Sequence, residues 1–98
     1  MSAPASPLDM AVVAFNSTLR IRILVLIARS PGLGAHDLAT SLGIPRATLS
    51  LNLRTLEEAG LLTSSDTSEA RRGRRLTYRL NREAYSAMIE ALGAIVER

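Results

Sequence analysis

The sequence predicts a mainly α-helical domain of five helices with one small β-hairpin, on three observations. Apolar residues recur at helical spacing along much of the 98-residue chain, as at Leu49, Leu53 and Leu56. Helix stops and starts punctuate them: Ser30, Pro31 and Gly32, then Gly43, Pro45 and Gly60. Between Leu61 and Leu80 the pattern changes to two short strand-like segments around a polar, Gly-containing loop.

Residues 1–7 are rich in Pro, Ala and Ser and are expected to form a disordered tail; residues 8–98 are read as one domain. The tail runs into a helix start, with Ser6 as N-cap, Pro7 in the first turn and Asp9 as the N3 acid. The helix that follows puts Leu8, Val12 and Phe15 on one face. A second helix, from about Ser17 to Arg29, is apolar between Leu19 and Ala28 apart from Arg20 and Arg22, so it is expected in the middle of the assembly. Ala35 to Leu42 forms a short helix with Leu38 and Leu42 inward, and Gly43 supplies a left-handed stop. Pro45 suits the first turn of the next helix, about Pro45 to Ala59, which Gly60 ends. Leu61–Ser65 and Arg75–Leu80 are the candidate strands, with Asp66–Arg74 as the loop between them. Asn81 then caps a final helix to about Glu97, with an apolar stripe of Tyr85, Met88, Ile89, Leu92, Ile95 and Val96.

Composition excludes several classes. The longest apolar run, Ile23 to Ala28, is far shorter than the roughly 20 residues a membrane-spanning helix needs, so no membrane partner is expected. Met1–Pro7 lacks the charged and apolar regions of a signal peptide, which points to the cytoplasm. With no Cys, neither a disulfide framework nor a thiolate metal site is available, and the lone His36 makes no cluster. No nucleophile elbow, phosphate loop or His-Glu helix occurs, so neither enzyme activity nor a cofactor is expected. Glu57 and Glu58 read as a solvated helix end.

Charge is concentrated instead. All twelve basic residues are Arg, and six of them fall between Arg71 and Arg82 with no acid among them, against a whole-chain charge of +3. A block of this kind suits a polyanion, because each phosphate it neutralises releases condensed counterions.

Three strings carry a family resemblance: LRIRILVLIA at Leu19–Ala28, DLATSLGIPRATLSLNLRTLEEAGLL at Asp37–Leu62 and GRRLTYRL at Gly73–Leu80. The middle string, with its short helix, Gly turn, second helix and closing EEAGLL, is similar to winged helix-turn-helix regulators, the MarR-like ones among them. The whole arrangement most resembles the arsenic-repressor (ArsR) family. The resemblance implies a transcription regulator that binds double-stranded DNA, with the second helix of the motif in the major groove and the hairpin, or wing, along the backbone or minor groove. Carried onto this sequence, the groove set is Arg46, Ala47, Thr48, Ser50, Leu51 and Arg54, and the wing set is Arg71, Arg72, Arg74 and Arg75. Leu51 departs from the family pattern, where a polar residue is common; Leu51 and Ala47 are read as packing on thymine methyls.

The family dimerises through its terminal helices. The implied homodimer interface is Leu8, Val12, Phe15, Tyr85, Met88, Ile89, Leu92, Ile95 and Val96, and two-fold symmetry implies an inverted-repeat operator. Repression is the habit of the family. Its metal-ligand sets find no counterpart here, and no small-molecule effector is identified. The alternative function is a winged-helix interaction module whose Leu51 and basic hairpin grip an acidic protein.

Overall fold

The computed structural model describes residues 6–65 and 76–96. Within them lie α1 (Pro7–Phe15), α2 (Thr18–Arg29), α3 (Ala35–Leu42), α4 (Arg46–Glu58), β1 (Leu62–Ser64), β2 (Tyr78–Leu80) and α5 (Arg82–Val96). The architecture is mainly α with a two-stranded antiparallel hairpin base, as the sequence predicts.

Local chemistry explains the helix ends. The Ser6 hydroxyl accepts from the Asp9 amide at 3.2 Å and donates to the Asp9 carboxylate at 2.8 Å, so α1 starts at Pro7, inside the stretch expected to be tail. Ser17 caps α2 in the same way, accepting from the Arg20 amide at 3.3 Å. Asn81 does two jobs: its Oδ1 accepts from the Ala84 amide at 3.2 Å, while its Nδ2 donates to the Gly60 carbonyl at 3.0 Å. It therefore starts α5 and fastens that start to the end of α4. Residues 1–5 of the expected tail, the expected loop Asp66–Arg74, Arg75 of the second candidate strand and Glu97 lie outside the described residues.

The core forms where these helices converge. Ile23 and Ile27 of α2, Leu38 of α3, and Leu49, Leu53 and Leu56 of α4 are fully buried, together with Leu61 and Met88. Each such side chain contributes roughly 1.5–3 kcal/mol relative to exposure. Alanines at positions 11 and 14 let α1 lie close against its neighbours, and it packs most extensively on α5. The helices α1 and α5 are thus brought together by their small and apolar inward faces.

In the hairpin base, Leu62 pairs with Leu80, Thr63 with Arg79 and Ser64 with Tyr78. The strands are shorter than the sequence suggests, although Ser65 and Thr77 continue the ladder with a 3.0 Å backbone bond. The segment after α2 adds a third edge: the Gly32 amide donates to the Tyr78 carbonyl at 3.1 Å, the Tyr78 amide donates to Leu33 at 3.3 Å, and Gly34 bridges Thr77. The sequence reads Ser30, Pro31 and Gly32 as a stop signal alone, but Gly32–Gly34 also closes the outer side of β2, a partner remote in sequence.

Candidate nucleic-acid interface

The turn between α3 and α4 sets the site. Gly43 adopts φ 67° and ψ 37°, the left-handed conformation that L side chains avoid, and its amide meets the carbonyls of Ala39 and Thr40. The Ile44 amide donates to Ala39 at 3.1 Å, completing the turn. Pro45 occupies the N-cap position in extended conformation, one residue ahead of its expected place in the helix. No side chain caps α4, and its first turn carries no acid, so its amide end is left to water or an anion.

On α4 the division of faces is sharp. Leu49, Leu53 and Leu56 are buried, whereas Arg46, Ala47, Thr48, Ser50, Leu51 and Arg54 are exposed together on the opposite side. Leu51 is 67% exposed, a large apolar side chain standing on the face opposite the core. His36 is exposed in the first turn of α3. Behind this exposed set, the Ser64 hydroxyl donates to the Glu57 carboxylate at 3.1 Å and links the end of α4 to β1. Burial pushes the Tyr78 phenol above its ordinary value near 10; the charge of Glu57 adds to this and that of Arg46 partly offsets it.

Sequence reading missed the polar brace beneath this helix. Arg20 of α2 donates from Nε to Asn52 Oδ1 at 3.0 Å and from its terminal nitrogen to the Val13 carbonyl at 3.1 Å. Asn52 in turn donates to the Thr48 carbonyl at 2.8 Å. The only signal in the sequence was the pair Arg20 and Arg22 within an otherwise apolar segment, and nothing local singles out Arg20.

The wing residues Arg71, Arg72, Arg74 and Arg75 lie outside the described residues. Arg79 on β2 and Arg82 at the start of α5 are exposed beside the hairpin base. Among the described residues, no three His, Asp or Glu side chains come together, and no single helix is long and apolar enough to cross a membrane.

The expected interface set divides in two. Leu8, Val12 and Phe15 on α1, with Tyr85, Ile89, Ile95 and Val96 on α5, are all exposed. Met88 is not: it is fully buried in the chain's own core, because its position on α5 points inward. Leu92 is half-buried and also packs against that core. The stripe on α5 is therefore wide enough to serve two surfaces, one inside the domain and one outside. Phe15 and Tyr85 flank a hollow of about 170 Å³ that reaches Val25, a further exposed apolar residue on α2.

A helix-turn-helix presenting one exposed, Arg-bearing face, backed by a β-hairpin and flanked by α1 and α5, defines the winged-helix class of transcription regulators. The MarR family model matches residues 17–73, more than half of the chain, and the chain belongs to that family. These proteins are regulators, not enzymes. Solved structures with the same fold include ArsR-type regulators. An ArsR-like transcriptional regulator from Rhodococcus sp. RHA1 is 25% identical, with a TM-score of 0.75 over 93% of this chain and 80% of that one. A possible transcriptional regulator for arsenical resistance is 26% identical, with a TM-score of 0.71 over 92% and 83%. A homodimeric winged helix-turn-helix DNA-binding domain from Mycobacterium bovis is 28% identical, with a TM-score of 0.64 over 92% and 80%. No curated protein matches the chain.

Proposed function

We propose that the chain is a cytoplasmic, homodimeric repressor that binds an inverted-repeat operator in double-stranded DNA. The observation that carries this reading is the exposed face of α4, where Arg46, Thr48, Ser50, Leu51 and Arg54 stand together over a buried Leu49–Leu53–Leu56 row. Arg46 and Arg54 supply groups for guanine edges or phosphates, and Thr48 and Ser50 suit phosphates. Leu51 and Ala47 suit thymine methyls, which gives the exposed leucine a favourable contact in the complex. Arg71, Arg72, Arg74 and Arg75 are assigned to the backbone or minor groove as always-charged, planar donors.

The homodimer is assigned to the outward apolar faces of α1 and α5, without Met88. The M. bovis neighbour, itself a homodimeric DNA-binding domain, supports this reading. Two-fold symmetry would place the two α4 helices about one DNA turn, roughly 34 Å, apart.

The test is selection from a random duplex pool at several salt concentrations. Enrichment of an inverted repeat is expected, with affinity falling steeply as salt rises. Replacing the four wing arginines by Gln should flatten the slope of log affinity against log salt by about 0.9 for each phosphate no longer neutralised. No enrichment, with an acidic protein bound in its place, would overturn the function. A selected direct repeat would overturn the symmetric arrangement.

A further inference from the structure

We propose that Arg20 is the positioning residue of the recognition helix: from within α2 it fixes α4 against the end of α1 and thereby sets how the groove-facing residues are presented. The inference rests on the DNA-reading role proposed for α4. Ser17 caps α2 through the Arg20 amide, which anchors the residue's own backbone. The guanidinium then reaches two other helices. One donor meets the carbonyl of Val13, in the last turn of α1, which carries no basic residue of its own. That carbonyl belongs to the negative end of the α1 dipole, where helix carbonyls lack intrahelical partners. The other donor meets Asn52 Oδ1, and the Asn52 amide continues to the Thr48 carbonyl, one turn back along α4.

This chain of bonds ends on the turn that carries Thr48, Ser50 and Leu51. It lies at the edge of α4 between the buried leucine row and the exposed face, so that beside the depth set by the leucines it bears on small rotations about the helix axis. A planar fork with donors in two fixed directions constrains that rotation; a lysine ammonium on a flexible stem does not. Because α1 also bears Leu8, Val12 and Phe15, the same fork connects the outward apolar face to the DNA-facing helix.

The experiment compares wild type with Arg20→Lys, Asn52→Ala and the double variant. Urea unfolding first establishes that each folds cooperatively. Hydrogen exchange in the absence of DNA is expected to show weaker protection in α4 amides around residues 48–56, with α5 unchanged. With the duplex selected by wild type, each single variant should lose about tenfold in preference over random duplex, the scale of one charge-assisted hydrogen bond. The double variant should lose little more, because both substitutions break the same link. The salt slope should not move.

A phosphate-binding Arg20 would behave differently. Arg20→Lys would then retain both preference and slope, and Arg20→Gln would lower the slope by about 0.9. That outcome, or unchanged α4 protection in both single variants, overturns the proposal. If wild type prefers no duplex, the function proposed above fails, and exchange alone decides whether the brace holds α4.

Discussion

Ile89→Arg is expected to yield a folded monomer. Seven side chains, Leu8, Val12, Phe15, Tyr85, Ile89, Ile95 and Val96, are between 37% and 80% exposed on α1 and α5. Full burial of such a residue is worth roughly 1.5–3 kcal/mol, so each has about 1 kcal/mol still to gain. Two such faces meeting would gain on the order of 14 kcal/mol, set against roughly 4–15 kcal/mol for lost freedom on association. The surplus thus lies between about zero and about 10 kcal/mol, and a substitution repeated in both copies removes it when the cost of association is near the upper figure. Ile89→Arg forfeits about 2 kcal/mol of burial across the pair and adds two charges that must be desolvated. The dissociation constant should rise by at least about 100-fold, the equivalent of roughly 2.7 kcal/mol. Ile89 suits this test better than Leu92, whose half-buried side chain also supports the domain core. Sedimentation equilibrium should return the 10.5 kDa of one chain for the variant and twice that for wild type, with matching far-UV spectra. A folded variant that still sediments as a dimer at the wild-type concentration would refute the assignment of this face.

Three further outcomes follow from particular residues. Leu51→Ala should lose discrimination at one A·T pair while retaining binding elsewhere, as read by relative affinities for single-base operator variants; uniform weakening would reject the thymine-methyl contact. Gly43→Ala should cost about 1 kcal/mol in urea unfolding, although a Cβ there meets nothing within 4 Å, because the penalty is the left-handed backbone alone; Gly43→Asn should cost less. Tyr78 titrates above its ordinary value in the folded protein, so its contribution to stability is fully present below pH about 10 and is lost as pH rises through the folded value. Urea midpoints measured across that range should fall with pH in wild type and fall less in Tyr78→Phe.

Much of the site was legible because its signals are local. The turn at Gly43 needs a residue tolerant of positive φ, and the spacing of Leu49, Leu53 and Leu56 leaves Ala47, Ser50, Leu51 and Arg54 on the other face by helical geometry alone. The cap residues Ser6 and Asn81 were legible for the same reason: each acts on an amide three positions away. Arg20 was not, since its partners Val13 and Asn52 lie 7 and 32 positions away. Met88 and Ile89 show the same limit at a single step: both belong to the apolar stripe of α5, yet one is buried in the domain and the other exposed.

The sequence by itself thus determined the helices, their ends, the helix-turn-helix and the side of α4 that faces outward, because hydrophobic period and backbone preference act over a few residues. Tertiary structure alone decided how the apolar stripes were shared between the chain's own core and its outer surface. It also decided that Gly32–Gly34 would close β2 and that Arg20 would join three helices. These depend on which distant segments meet, and the meeting is set by packing α1 onto α5 around one core, for which no local pattern carries the coordinates.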